Sequence, residues 1–338
     1  MAPEGNAVFN PVVARQSTIW MSQALLRSFK DIQQQIQPSK ELLGCANSLQ
    51  SVINRLDVAL SNNQALSPLL YAGYYHFVHL LEQGDMLYCE KLLADLPCAV
   101  STQEVFNGAL QLCHSDIHRS ILRNCLYTET LESYWTHCDA QEFLHAREKI
   151  NAVIEIIKQT QPHFYQEFQS LVTTIIMAKP CSQKFRFDGA SSYHLWGLMM
   201  LAWDDDKTEL EWIETLAHES SHIYLFGLMR NQTLLEGDES YNLYSSPLRT
   251  DKRPLEGIYH ATYVSARMHL AVMHYRYSHT QLFAPKEIDR LASASLRAFK
   301  DGYHTIMQHA KLTSLGKSVL EDCKKALEDP YRSLILSV

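Results

Sequence analysis

Glycine and proline are scarce in this chain, 12 and 11 of 338 residues. Few helix breakers leave room for long uninterrupted helices. No apolar run approaches the roughly 18 residues that span a bilayer, which excludes a transmembrane helix. The opening Met1-Ala2-Pro3-Glu4-Gly5-Asn6 has no basic region followed by an apolar core, which excludes a signal peptide. No basic stripe with interleaved aromatics is present and the formal net charge is -7, so nucleic acid is set aside as a partner. The eight cysteines, at 45, 89, 98, 113, 125, 138, 181 and 323, form neither a CxxC pair nor a compact framework. They read as reduced, mostly buried thiols, and a structural cysteine zinc site is not expected. What remains is an ordinary globular composition, 46% apolar and 20% charged. The expectation is a soluble cytoplasmic protein that engages neither membrane nor nucleic acid.

Apolar periodicity predicts a succession of helices over 17–36, 41–60, 67–82, 85–96, 139–159 and 163–177. Character changes at Lys179-Pro180. Lys184-Phe185-Arg186-Phe187-Asp188 alternates like a strand, Gly189 to Ser192 reads as a turn, and Tyr193 to Trp203 reads as a second, more buried strand. A helix follows, then a loop over 232–257 and helices over 259–278, 285–312 and 314–327. The expected fold is mainly α, with a small hairpin or sheet just before a zincin-like helix. A boundary near residue 178 separates a helical region, 1–178, from a catalytic region, 179–338, the two packing closely enough to form one domain.

The helix after the predicted hairpin carries His218-Glu219-Ser220-Ser221-His222. Positions i and i+4 lie one turn apart on one face, so both imidazoles reach a single metal ion with the glutamate nearby. Asp206 and Glu209 have capping-box spacing at its start, and Asn231-Gln232-Thr233 ends it. A metal needs a third protein ligand. Glu236, Asp238, Glu239, Asp251, Glu256, His260, His269 and His274 are candidates downstream. Leu225 and Leu228 stand where a metzincin needs Gly and His, which excludes that form. Glu256 and His260, four apart, share a helix face, and either completes the set. His76, His79, His114 and His145 read as ordinary boundary residues.

The decisive stretch is Tyr244 to His260, YSSPLRTDKRPLEGIYH. With the preceding helix it resembles the HExxH-motif proteins of peptide natural-product biosynthesis, recognised by HExxH followed by YSPWR-x-D-x-RP-x-x-G-x-x-H. Ser246 is an extra residue before the proline, and Leu248 stands where an aromatic is common. The resemblance covers roughly residues 184 to 270. It implies an Fe(II)- and 2-oxoglutarate-dependent oxygenase on a HExxH scaffold, hydroxylating the β-carbon of a residue in a peptide. It further implies His218, His222 and His260 as ligands, with Glu256 second to His260.

The residues suit that chemistry. Three facial ligands leave three open positions on six-coordinate Fe(II), two for the keto acid end of 2-oxoglutarate and one for dioxygen. The far carboxylate needs a fixed cation, which a guanidinium supplies better than an ammonium. Arg249 and Arg253 both precede His260, and Arg253 is favoured because Pro254 restricts its backbone. The plainer role for both is a surface ion pair with Asp251 or Glu256. Tyr244 and Ser245 would offer hydroxyls to the cosubstrate, or are simply turn residues. Glu219 would orient substrate or ligands in an oxygenase. In the alternative, a zinc metallopeptidase, Glu219 is the general base. A non-catalytic peptide-binding scaffold is a third reading. Phe187 and Ser191 to Trp196, His194 among them, would lie on an edge strand that holds the peptide.

Overall fold

The computed structural model describes residues 6–36, 43–96, 135–180, 188–237, 242–278 and 281–329. The described chain is mainly helical with a small sheet. It divides into two compact units, one drawn from within 1–15, 148–170 and 205–338, the other from within 16–147 and 171–204. The chain therefore passes between units four times, where the sequence had pointed to a single cut near residue 178.

The second unit holds most of α1 (Pro11–Gln35), then α2 (Leu43–Ser61), α3 (Pro68–Gln83) and α4 (Met86–Asp95). Punctuation between α3 and α4 is local chemistry. Gly84 takes a φ of 75°, its N–H returns to Leu81 O, and Asp85 N bonds Leu80 O at 3.0 Å. The Asp85 carboxylate then caps α4 by accepting from Tyr88 N at 3.1 Å.

The same unit contains a sheet of β1 (Trp135–His137), β2 (Thr174–Pro180), β3 (Gly189–Ser191) and β4 (Leu198–Ala202), in the order β1-β2-β4-β3. β2 and β4 are parallel and pair Ile176 with Met200, while β3 is antiparallel to β4 and pairs Ala190 with Met200. β4 is buried at every position, which is why Leu-Met-Met-Leu-Ala shows no alternation. The expected hairpin is present but shifted. Gly189 to Ser191, expected as a turn, is a strand, and a 3-10 turn over Tyr193–Leu195 leads to β4. Gly197 makes the entry with a φ of 88°, where an added Cβ would meet Thr173 Oγ1 at 2.7 Å. The expected strand at 184–187 lies outside the described residues.

α5 (Ala140–Thr160) crosses from the second unit to the first. The first unit continues with α6 (Pro162–Leu171), α7 (Glu209–Met229), the short strands β5 (Tyr244–Ser245) and β6 (Lys252–Arg253), α8 (Leu255–Tyr277), α9 (Pro285–His309) and α10 (Ser314–Glu328). The helix expected over 163–177 ends at Leu171, because the apolar run Thr174 to Ala178 is taken up by the sheet as β2. α8 packs against α7, α9 and α10. Its tyrosines anchor it: Tyr259 donates to Gly316 O and Tyr263 to Asn6 O, each at 2.7 Å. Gly302 of α9 sits so close that an added Cβ would fall 2.0 Å from Thr262 Oγ1 and 3.3 Å from Pro247 Cγ. No described helix is long and apolar enough to cross a membrane. Cys45, Cys89 and Cys323 are buried free thiols and Cys138 is half-buried.

Candidate metal centre

α7 is capped by Thr208, two residues beyond the expected Asp206. The Thr208 hydroxyl accepts from Glu211 N at 3.2 Å, and the Glu211 carboxylate accepts from Thr208 N at 3.0 Å. From that fixed start the HExxH stretch falls in the middle of a buried helix, with Trp212, Ile213, Leu216, Ala217, Ile223 and Tyr224 packed around it. His218 and His222 stand one turn apart with ring centroids 4.9 Å apart and Nε2 atoms 3.1 Å apart. His260, two turns into α8, lies almost parallel to His222 at 5.5 Å, their Nδ1 atoms 3.3 Å apart. Phe226, the next turn of α7, covers both rings, at 6.5 Å from His222 and 5.2 Å from His260.

The packing sets the charge state. Burial holds His222 well below its ordinary value of 6.5, with His218 and His260 adding to the effect. Burial alone lowers His260 to about 4. Both rings are therefore neutral imidazoles at neutral pH, the form that ligates a metal. The carboxylate of Glu219 is buried, with Oε1 3.8 Å from His218 Nε2. On its other side His218 places Nδ1 3.3 Å from Met268 Sδ. In donor chemistry, three imidazoles beside a buried carboxylate suit a borderline divalent ion such as Fe(II) or Zn(II). In geometry, His222 turns a different nitrogen to each neighbour, so the rings do not converge on one point without rotation about a Cβ–Cγ bond. Among the described residues no group of three or more His, Cys, Asp or Glu side chains is placed, as it stands, to hold a metal ion.

The stretch from Tyr244 to Arg253 folds as a hairpin, Tyr244 opposite Arg253 and Ser245 opposite Lys252. Pro254 alone separates it from α8. The Tyr244 ring packs on His309 at 4.8 Å, and Ser245 is exposed. Asp251 takes both arginines, Arg249 through Nε at 3.0 Å and Arg253 through Nε at 2.7 Å. The Arg253 contact is an ion pair without hydrogen-bond geometry, since its buried Nε finds no hydrogen-bond partner. Against the desolvation that raises it, the bond from Arg249 and the charges of both arginines hold the Asp251 carboxyl below its ordinary value. The Arg253 stem lies on Gly257, where an added Cβ would come within 3.2 Å of the arginine Cβ.

Of the competing third ligands, Glu256 is exposed in the first turn of α8, while His260 on the same face meets His222. Glu236 is exposed. His269 is occupied at Ala292 O, 2.8 Å away, and His274 meets the backbone of Thr160. Asp238 and Glu239 lie outside the described residues, as does Phe187. His194 packs on Tyr75 with centroids 4.2 Å apart, and Ser191 ends the outermost strand of the sheet.

Three neighbours of the histidines escaped the sequence reading. Phe226 follows His222 at i+4, a spacing that puts it on the same face, and Met268, two turns beyond His260, meets His218 of the other helix. The third is a buried network behind Ser221 of the motif itself. Arg267 donates through Nε to Ser221 Oγ at 2.8 Å and through Nη1 to Val8 O at 3.2 Å, and pairs through Nη2 with Glu167 of α6. Glu167 also accepts from Asn10 N at 2.7 Å, and the guanidinium lies 4.5 Å from the rings of Phe9 and Tyr224. Neither a protein-family model nor a curated protein matches the chain.

Proposed function

We propose that this protein is an Fe(II)- and 2-oxoglutarate-dependent dioxygenase that hydroxylates a side chain, at the β-carbon, of a peptide in natural-product biosynthesis. The observation that carries this reading is the direct join between the arginine-bearing hairpin and the helix of His260. Arg253, just ahead of the helix, lays its stem on Gly257, and Gly257 and His260 stand three apart on one face of α8. That arrangement suits a short dicarboxylate gripped by a guanidinium at one end and brought to the histidines at the other.

When bound, Fe(II) with 2-oxoglutarate supplies oxygen activation, one atom of dioxygen going to the peptide C–H and one to succinate, with loss of carbon dioxide. His218, His222 and His260 would hold the ion, and burial keeps the last two in the neutral form this needs. Arg253 would bind the far carboxylate, with Arg249 the alternate, the cosubstrate replacing Asp251 as partner. Tyr244, opposite Arg253 across the hairpin, and Ser245 would add hydroxyl donors. Glu219 would orient a ligand or the substrate, and Phe226 would exclude water from the histidine face. Anaerobic protein given Fe(II) and 2-oxoglutarate should develop a weak visible absorption band, and oxygen should then release succinate. Correctly metallated protein that shows neither overturns the reading.

Glu219 favours a second reading, a zinc metallopeptidase. Its buried carboxylate stands 3.8 Å from His218 Nε2, where a general base would sit. This reading expects tight Zn(II) binding, peptide cleavage in place of oxygen insertion, and indifference to 2-oxoglutarate.

A further inference from the structure

Ser221, between the two histidines of the motif, is fully buried and bonded on both sides. Its hydroxyl donates to Ala217 O one turn back and accepts the Nε–H of Arg267 at 2.8 Å. Ala217 precedes His218 and Ser221 precedes His222, so this one hydroxyl joins Arg267 to the chain beside both histidines. Along α8, His260 meets His222, and Arg267, about two turns further on, meets Ser221.

Arg267 is itself held from several directions. Its Nη1 donates to Val8 O at 3.2 Å and to the Tyr263 hydroxyl at 3.5 Å, its Nη2 pairs with Glu167, and its carbon lies 4.5 Å from the rings of Phe9 and Tyr224. The segment that supplies Val8 is tied down in turn. Asn6 O accepts from the Tyr263 hydroxyl at 2.7 Å, and Asn6 Nδ2 donates to Asp322 at 3.0 Å. Phe9 stacks on Phe164 at 4.3 Å, and Asn10 N donates to Glu167 at 2.7 Å. Residues 6–10 thus form a strap stitched to α6, α8 and α10.

Stability alone does not account for this cluster. Burying an arginine with a carboxyl group carries a desolvation penalty, and apolar side chains of similar volume often stabilise a core as well or better. What an apolar side chain lacks is a donor in a fixed plane. A guanidinium held by its other nitrogens presents Nε–H in one direction, and a hydroxyl of α7 accepts it.

We propose that Arg267 is a positioning residue of the candidate metal centre: set by the strap and Glu167, it holds Ser221 and so fixes how α7 presents His222 to His260. The metal role rests on the reading above, whereas the placing of one ring against the other is a property of the metal-free protein.

The test uses the full chain, metal-free and isotopically labelled in its histidine rings. Its readout is the magnetization-transfer cross-peak between ring protons of His222 and His260, assigned with His222→Asn and His260→Asn. Wild type should show the cross-peak. Arg267→Met combined with Glu167→Leu, which fills the space without the donor, should melt cooperatively yet lose most of the cross-peak intensity. Its affinities for Fe(II) and Zn(II), titrated anaerobically by calorimetry, should fall about 10–100-fold, the usual effect of losing a partner outside the ligands. Ser221→Ala should act alike, and Ser221→Thr, which keeps the hydroxyl, should restore both readouts. A role confined to stability would leave both unchanged in a double variant that folds. Wild type without the cross-peak, or a folded double variant or Ser221→Ala that keeps it in full, overturns the proposal. Should the double variant fail to fold, the Ala and Thr variants of Ser221 decide alone. If the cross-peak responds as expected but wild type binds no divalent ion, the metal reading fails and the positioning of α7 by Arg267 stands.

Discussion

α7 and α8 carry two polar clusters on adjacent faces, and the two are built on opposite terms. Ser221 neighbours His222, and Arg267 neighbours Met268, about 100° around each helix. On one face Arg267 and Glu167 are fully buried, and their polar atoms meet Ser221, Val8, Asn10 and each other. On the other face burial holds His222 and His260 in the neutral form, and both stay half-exposed beside His218. The Arg267 cluster ties α8 to α6, α7 and the N-terminal segment, while the histidines meet across α7 and α8 alone.

The largest way to break the contrast is Arg267→Met. It leaves the Glu167 carboxylate buried without its partner and should cost roughly 3–5 kcal/mol in urea unfolding. The pair Arg267→Met with Glu167→Leu should recover most of that loss, because apolar replacement of a buried ion pair is often neutral or better. On the histidine face, His222→Ala should leave a cooperative fold. Calorimetric titration should then show divalent-metal affinity lowered by more than the roughly 10–100-fold that outer partners cost.

Acid titration separates the clusters by sign. Burial lowers His260 from 6.5 to about 4. Between those values the unfolded chain takes up a proton that the folded chain refuses, so stability falls as pH drops through that window. His260→Gln should flatten that part of the stability profile. Burial raises the Glu167 carboxyl from 4.5 to about 7, against the pull of Arg267 and the Asn10 N–H. Its contribution is full below 4.5 and is lost as pH rises toward 7, and Glu167→Gln should remove it. The smallest effect on stability is expected from Asp251→Asn, at most about 1 kcal/mol, since the ion pairs it removes are exposed. The same change frees both arginines and should tighten 2-oxoglutarate binding, read by calorimetry.

The pairing of His218 and His222 was legible in the sequence because residues four apart share one face of a helix. His260 was legible through its motif and because its helix brings it to the same face. The cap of α7 was misplaced because Asp206 and Thr208 are both good capping residues, and only the backbone decides between them. β3 looked like a turn because Gly189-Ala190-Ser191 is strand only by virtue of its pairing with β4, a long-range fact. β2 merged with the helix before it because a short apolar run fits either form. The whole Arg267 cluster was invisible, since Glu167 and Arg267 meet across 100 residues. For the arginines the sequence left an ion pair and a cosubstrate clamp both open, and the fold supplies the ion pair at Asp251.

The single residue between β6 and α8 also divides two clocks. Strands of two residues have little stability of their own, and hairpins of this kind form and open in roughly 1–10 μs. α8, buried along most of its length, keeps His260 still on that scale. Typical turnover takes about a millisecond to a second. If the proposed reaction holds, Arg249 and Arg253 sample open and closed positions many times per turnover, and loading of a diacid is a rapid pre-equilibrium.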